Sequence, residues 1–581
     1  MSAPDDRDKA SRLEQGLLLA ALLFYGLALP LCSSLFRPGY AVYDEETTLD
    51  KVQAWREGAP LLFRFAWASL YHNLEILLCA LAGPHLSLMR LPALAGVLAE
   101  ALLLYVWLRD KLGERAALWA CLADLLCTAT FARGGSLTGG CLLPALFLAH
   151  AVCCERVRRP WQAALWSLSA ALCLLDYEAW TGALLFLAPY AAWRWRRVPG
   201  LLPAGALGAA AGAGLVLRLT PDLASHVLSR GAASLPARGF LRTAWTNALD
   251  LAGQGERMPF SAADRHPWPA PWTWPLILTG AWAALRRLPW LALLLGAGSL
   301  ALGLAGTSTE PHRMSLALLA LAAFGGAGAA LLWSRPWGRA LCLALLLFGA
   351  VDEARAWIRE PAAKLDAAYG NSLALEQAAD WLAANPDPRG WDVISGLGPY
   401  ADGAFRFLLD QDGVRKGSAP VALVYWDYRP GLSGLQGPVR ALAFGAYRPV
   451  LLCFPSPADA ERLRAVRAEL APLRRAQLSE PQAVQTALAA AWLRDPAHKD
   501  PWARTVAWEL WLLDGLLYHG VNAAGARRLL AEPLVSGWAP DVLAGETAAA
   551  DPALSLLCRR KAEAVDPRRA AMSPADRMSR Y

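Results

Sequence analysis

The chain has 581 residues, of which 56% are hydrophobic and 18% charged, with a formal net charge of +7 and a mean hydropathy of +0.28. Charged residues make up about a quarter of an ordinary soluble domain, so this composition excludes that class and points to an integral membrane protein.

Crossing a bilayer takes about 17–25 apolar residues. Apolar runs that reach or approach that length fall at roughly 15–35, 90–108, 116–131, 138–155, 161–176, 179–193, 201–217, 271–285, 289–306, 314–333 and 339–352, several of them short with loose boundaries, about 11 transmembrane helices in all. The first reads as an uncleaved anchor, because acids precede it and its apolar stretch exceeds that of a signal peptide. Leu70 to Gly83 carries His72, Asn73 and Glu75 and reads as an interfacial or re-entrant helix. The connectors RDKLGER (109–115), ERVRR (155–159), RWRR (194–197), RR (286–287) and RPWGR (335–339) alternate with connectors poorer in Lys and Arg. By the positive-inside rule those five and the N-terminus face the cytoplasm. Arg218 to Arg265 holds six arginines yet falls outside; it is long enough for the rule to weaken.

Residues 1–353 are therefore expected to form a transmembrane domain and 354–581 an extracytoplasmic one. In the second, 362–386 has helical apolar spacing and stops at Asn385-Pro386. WDVIS (391–395), VALVYWD (421–427) and PVLLCFP (449–455) read as buried strands and 457–475 as a helix, giving a small α/β unit over about 387–478. A helical part follows over 479–550, with Trp508 and Trp511 on an apolar face, and then a basic tail. The eleven cysteines lack metal-ligand spacing. A Cys453–Cys558 disulfide is left open by the sequence.

The polar residues gather at one boundary. Asp44, Glu45 and Glu46 follow the first span, Arg133 ends the third, Asp176 and Glu178 end the fifth, and Glu310, His312 and Arg313 end the ninth. On this topology all four groups reach the outer face. Ionisable residues at membrane depth mark function by default, whereas helix ends meeting headgroups are the plain alternative. The spans are read as free of a charge buried at mid-membrane and of Gly/Pro-broken helix pairs, which favours a surface-site enzyme over a transporter.

The ordered set YDEETT (43–48), HNLEILL (72–78), MRLPALAGVL (89–98), LRDKLGERAALWACLA (108–123), FARGG (131–135) and EPHRM (310–314) resembles the dolichyl-phosphate-mannose-protein mannosyltransferase and aminoarabinose transferase group. The resemblance covers most of residues 15–335. It implies a GT-C fold and an inverting glycosyltransferase, which takes a sugar from a polyprenyl-phosphate carrier on the outer face of a prokaryotic cytoplasmic membrane. The family's Asp-Glu pair falls on Asp44 and Glu45, its His on His72, and its outer-face His and Arg on His312 and Arg313. The chain departs from the family where Gly134, Gly135 and Ser136 follow Arg133 without an Asp, and where Asn73 and Leu74 replace two prolines. Those departures leave the sugar and the acceptor open, whether glycan, lipid or protein.

Such a transfer needs a base for the acceptor proton, the role implied for Asp44. Glu45 would orient the acceptor or the base, or join Asp44 on a divalent cation, the one cofactor left open. The departing phosphate gains negative charge and needs fixed cations; Arg133 and Arg313, helped by His312, suit that role because guanidinium pairs with phosphate bidentately. His72, Asp176, Glu178 and Glu310 are substrate-binding candidates. No nucleic-acid partner is expected. YWDY (425–428) resembles the WWDYG motif of oligosaccharyltransferases but reads as a strand end. The competing class is a non-catalytic membrane protein, either a lipid-linked glycan translocator or an inactive assembly partner.

Overall fold

The computed structural model describes residues 11–28, 43–59, 69–127, 130, 139–176, 180–220, 271–305, 315–359, 371–395, 399–426, 440–444, 450–480, 482–513, 523–534, 537–548 and 551–571. The chain separates into two compact units: Met1–Tyr40 with Phe63–Ala368, and Ala41–Leu62 with Tyr369–Tyr581.

In chain order the helices of the first part are α1 (Arg12–Leu23), α2 (Tyr43–Arg56), α3 (Ser69–Ala82), α4 (Leu91–Leu112), α5 (Glu114–Leu125), α6 (Leu143–Arg156), α7 (Pro160–Leu172), α8 (Trp180–Trp195), α9 (Leu201–Leu219), α10 (Trp274–Arg287), α11 (Trp290–Ala305), α12 (Ser315–Trp333) and α13 (Pro336–Arg359). All but α2 belong to the first unit. Among the described residues α4, α9 and α12 are long and apolar enough to cross a membrane; shorter apolar helices cover Leu70–Ala82, Pro160–Leu175 and Pro336–Val351. The exterior of this unit is apolar too, with Leu207, Leu278, Trp282, Leu347 and Phe348 each more than 60% exposed. Water would penalise that surface and a bilayer covers it, so the chain is a membrane protein.

The packing of the first unit follows from small residues. Helix α12 is buried nearly all round and rich in Ala and Gly. A Cβ at Gly328 would strike the carbonyl oxygen of Leu276, one at Gly280 the carbonyl of Phe324, and one at Gly326 the carbonyl of Ala116. Helices α10 and α5 thus lie backbone to backbone on α12, the close approach that small residues permit in membranes. Gly208 does the same between α9 and α7, against the Ala164 carbonyl. Larger rings fill the middle: Trp107 meets Phe147 and Phe186 edge to face, both at 6.4 Å.

One end of this unit is stitched by charge. Ser11 caps α1 in a reciprocal box with Glu14, and the fully buried Glu14 accepts hydrogen bonds from Arg115 Nε at 2.9 Å and Trp119 Nε1 at 3.0 Å. Lys111 pairs with Glu155 at 2.8 Å, Tyr190 donates to the same carboxylate at 2.6 Å, and Arg287 donates to the Leu112 carbonyl at 2.8 Å. The basic connectors after α4, α6 and α10 therefore share one end of the bundle.

The second unit adds α14 (Asn371–Ala384), β1 (Trp391–Ser395), α15 (Pro399–Gln411), β2 (Lys416–Trp426), β3 (Arg440–Phe444), β4 (Val450–Phe454), α16 (Pro457–Ser479), α17 (Gln482–Trp492), α18 (Pro501–Ala507), α19 (Ala523–Leu530), α20 (Trp538–Thr547) and α21 (Pro552–Val565). The strands form one sheet in the order β1-β2-β4-β3, parallel between β1 and β2 and antiparallel elsewhere. Successive residues of a strand point to opposite faces. Leu452 accordingly joins a core with Leu375, Leu382 and Phe405 from α14 and α15, while Cys453 joins one with Leu463, Val466, Leu470 and Trp508. Helices thus cover both faces. Cys453 and Cys558 belong to the same core and are both free buried thiols, so the disulfide left open by the sequence is not formed.

Asp392 on β1 shows how α16 is tied to the sheet. Burial would raise its pKa, but hydrogen bonds from Arg464 Nε and Arg467 Nη1, each 2.7 Å, prevail and hold it below the ordinary carboxylate value. A depressed carboxylate contributes stability above its unfolded pKa, near 3.9, and loses that contribution as pH falls through the lower folded value. Asp392→Asn is therefore expected to lower the melting temperature at pH 7. The gap to the parent should close as the pH of the melt is brought below about 4.

Candidate functional site

The two leading candidates, Asp44 and Glu45, occupy the first turn of α2, where carboxylates are also favoured by the helix dipole. The same helix continues into an unusually buried stretch: Thr48, Leu49, Asp50, Val52 and Gln53 are each at most 2% exposed. The face of α2 that carries Asp50 docks on α15 at Gly403, where a Cβ would lie 2.6 Å from that of Asp50. The helix bearing the Asp-Glu pair is thus part of the compact unit built from the C-terminal segment.

Charges hold that dock. Asp50 Oδ1 lies 3.7 Å from Arg474 Nη1, and its other oxygen is 3.6 Å from Lys51 Nζ. Glu57 faces Arg474 at 3.4 Å and Arg406 at 3.3 Å, and Arg406 also meets Asp402 at 3.1 Å. Asp410 takes Arg56 at 2.6 Å and Lys416 at 2.7 Å. Burial raises the pKa of Asp50, with Lys51 and Arg474 pulling it back. Sequence reading missed this cluster because its members lie more than three hundred positions apart, with no spacing signal to join them.

Two further candidates lie in the first unit. His72 on α3 is 2% exposed. Asp176 ends the 3₁₀ turn Cys173–Leu175, against which α3 packs, and is fully buried. Neither Asp176 oxygen has a hydrogen-bond partner among the described residues. Glu75, one turn beyond His72, is also fully buried, with the Tyr71 side chain beside it. The fold therefore brings the His72 helix to the turn that Asp176 ends, and Glu75 is a further buried acid on that helix. Arg133, Glu178, Glu310, His312 and Arg313 lie outside the described residues. No group of three or more His, Cys, Asp or Glu suited to a metal is present among the described residues.

One expectation is overturned. The spans do carry buried acids: Glu100 is fully buried near the middle of α4, and Asp124 on α5 is 1% exposed, accepting from Thr130 at 3.2 Å. A single carboxylate in a long Leu/Ala run barely alters its hydropathy, so the run reads as uncharged although the fold encloses the group.

No family model and no curated protein sequence matches this chain. Among solved structures it is similar to ArnT from Cupriavidus metallidurans bound to undecaprenyl phosphate, with 14% identity and a TM-score of 0.50 over 76% of this chain and 98% of that one. The chain has the GT-C fold. ArnT in the apo state is matched at 12% identity and TM-score 0.47, over 76% of this chain and 97% of that one. Arabinosyltransferase EmbB from Mycobacterium smegmatis is matched at 17% identity and TM-score 0.34, over 71% of this chain and 38% of that one.

Proposed function

We propose that the protein is an inverting glycosyltransferase that moves a sugar from a polyprenyl-phosphate carrier to a hydroxyl acceptor at the outer face of a prokaryotic cytoplasmic membrane. The observation that carries this reading is the GT-C fold, shared over 98% of a chain solved with undecaprenyl phosphate, together with an Asp-Glu pair heading an anchored helix. Asp44 takes the proton of the acceptor hydroxyl as its oxygen bonds to the sugar C1 from the face opposite the carrier. The bond from C1 to the phosphate oxygen breaks, and polyprenyl phosphate leaves with one more negative charge. Arg133, Arg313 and His312 neutralise that charge. Glu45 orients the acceptor or the base, and His72, Asp176, Glu178 and Glu310 contact the sugar or the acceptor. On this reading the N-terminus lies in the cytoplasm, about eleven spans cross the membrane and residues 354–581 lie outside.

The test is a panel of radiolabelled undecaprenyl-phosphate sugars, bearing glucose, mannose or aminoarabinose, given to the full chain in nanodiscs. Release of undecaprenyl phosphate with label passing to an acceptor or to water supports the reading. A chelator titration belongs in the same assay: loss of release that returns with added divalent ion assigns a metal to Asp44 and Glu45, and unchanged release excludes one. The second reading, a lipid-linked glycan translocator, draws on the buried Glu100 and Asp124 inside apolar helices. It predicts no label transfer with any donor and movement of intact donor between leaflets.

A further inference from the structure

We propose that Arg474, acting through Asp50 and Glu57, is a positioning residue that sets where the Asp44 and Glu45 turn of α2 stands. This rests on the catalytic reading of Asp44 given above. The geometry behind it is that of a lever. Asp50 and Gln53 lie on one face of α2, and Glu57, the residue that follows the helix and whose N–H still bonds to the Gln53 carbonyl, continues the three-and-four spacing. That face is held at three points: Arg474 on α16 bridges Asp50 and Glu57, Arg406 on α15 grips Glu57, and Asp410 receives Arg56 and the Gln53 amide. At about 1.5 Å rise per residue, Asp44 stands roughly 9 Å along the axis from Asp50. A tilt of about 6° at the clamp would therefore displace the first turn by about 1 Å, a misplacement that costs catalysis on the order of 10²-fold.

The composition of the clamp fits orientation better than adhesion. An apolar residue at position 50 would dock on Gly403 without the cost of burying a carboxylate, and partly exposed ion pairs add little stability. Charges, unlike methyl groups, fix a direction. Arg474 is the member that Asp50 and Glu57 share, so its loss loosens both at once, leaving Glu57 to Arg406 and Asp50 to Lys51.

The experiment compares Arg474→Gln and Arg474→Lys with the parent, as full-length protein in nanodiscs. Amide exchange is followed across Tyr43–Arg56 and turnover of undecaprenyl phosphate–[14C]sugar is measured. Arg474→Gln is expected to speed exchange in α2, leave the donor KM unchanged and lower kcat on the order of 10²-fold. Arg474→Lys should recover most of both. Unaltered exchange in α2 overturns the proposal. So does parental kcat in Arg474→Gln when Asp44→Asn is inactive, and so does a loss of kcat that only tracks the fraction of folded protein. Asp44→Asn turning over at the parental rate removes the catalytic reading instead, whatever Arg474→Gln does, so the two failures are read from different variants.

Discussion

Asp44→Asn is expected to remain folded and to bind undecaprenyl phosphate like the parent, while transfer falls by about 10²–10⁴-fold, the usual contribution of a general base. The amide keeps the shape of the side chain and its favourable place in the first turn of α2. It cannot take the proton that the acceptor hydroxyl must lose as the bond to C1 forms. Since the base acts only in the chemical step, donor KM should change little and kcat should carry the loss. Glu45→Gln should cost less than Asp44→Asn if Glu45 orients rather than accepts the proton. Single-turnover release of label, measured beside donor binding, checks both statements, and parental kcat in the Asn variant would remove Asp44 from the mechanism.

The largest expected effect on stability is Gly328→Leu. The Cβ position of Gly328 is occupied by the backbone oxygen of Leu276, and that of Gly280 across the crossing by the Phe324 carbonyl. Backbone cannot yield as a side-chain tip can, so the added side chain must drive α10 and α12 apart and strip contacts from the most buried helix of the unit. Overpacking of this kind costs about 1–3 kcal/mol and sometimes more. Gly214→Leu is the matched control, because no atom outside its own helix and neighbours lies within 4 Å of its Cβ position. Melting in detergent should show a clear fall for the first and little change for the second; equal melting of both would overturn the backbone-to-backbone crossing of α10 and α12.

Much of the helical unit was legible because its signal is local. Each apolar run expected to form a span contains a helix in the described residues, since twenty apolar residues in a row leave the backbone no other way to satisfy itself in lipid. Strands β1 and β4 fall on WDVIS and within PVLLCFP for a similar reason. The short β3, RALAF, was missed; its side chains are exposed or only partly buried, so it lacks the apolar alternation that betrays a strand. Of the helix expected over 362–386 the described residues hold Asn371–Ala384, and VALVYW proves to be the end of a strand that begins at Lys416. At the candidate site, the acids of YDEETT were visible because charge just past an apolar run stands out. Their anchoring was not, since Leu49 and Val52 find their cover on helices encoded far downstream. The buried state of Glu75 was hidden as well, because one Glu in an amphipathic run reads as a wetted face.

The membership of α2 in a unit otherwise made from Tyr369 onward has a consequence for biogenesis. The ribosome delivers Leu49 and Val52 early and Gly403 only after some 350 further residues. At ordinary elongation rates of about 5–20 residues per second, that segment waits roughly 20–70 s with its apolar face uncovered. A nascent chain in that interval leaves Leu49 and Val52 without their cover, and an assembly factor that shields them would act on timing rather than on the finished fold. Truncation after residue 368 would make the wait permanent, so removal of the carboxyl-terminal part should strand the helix rather than yield a smaller working enzyme.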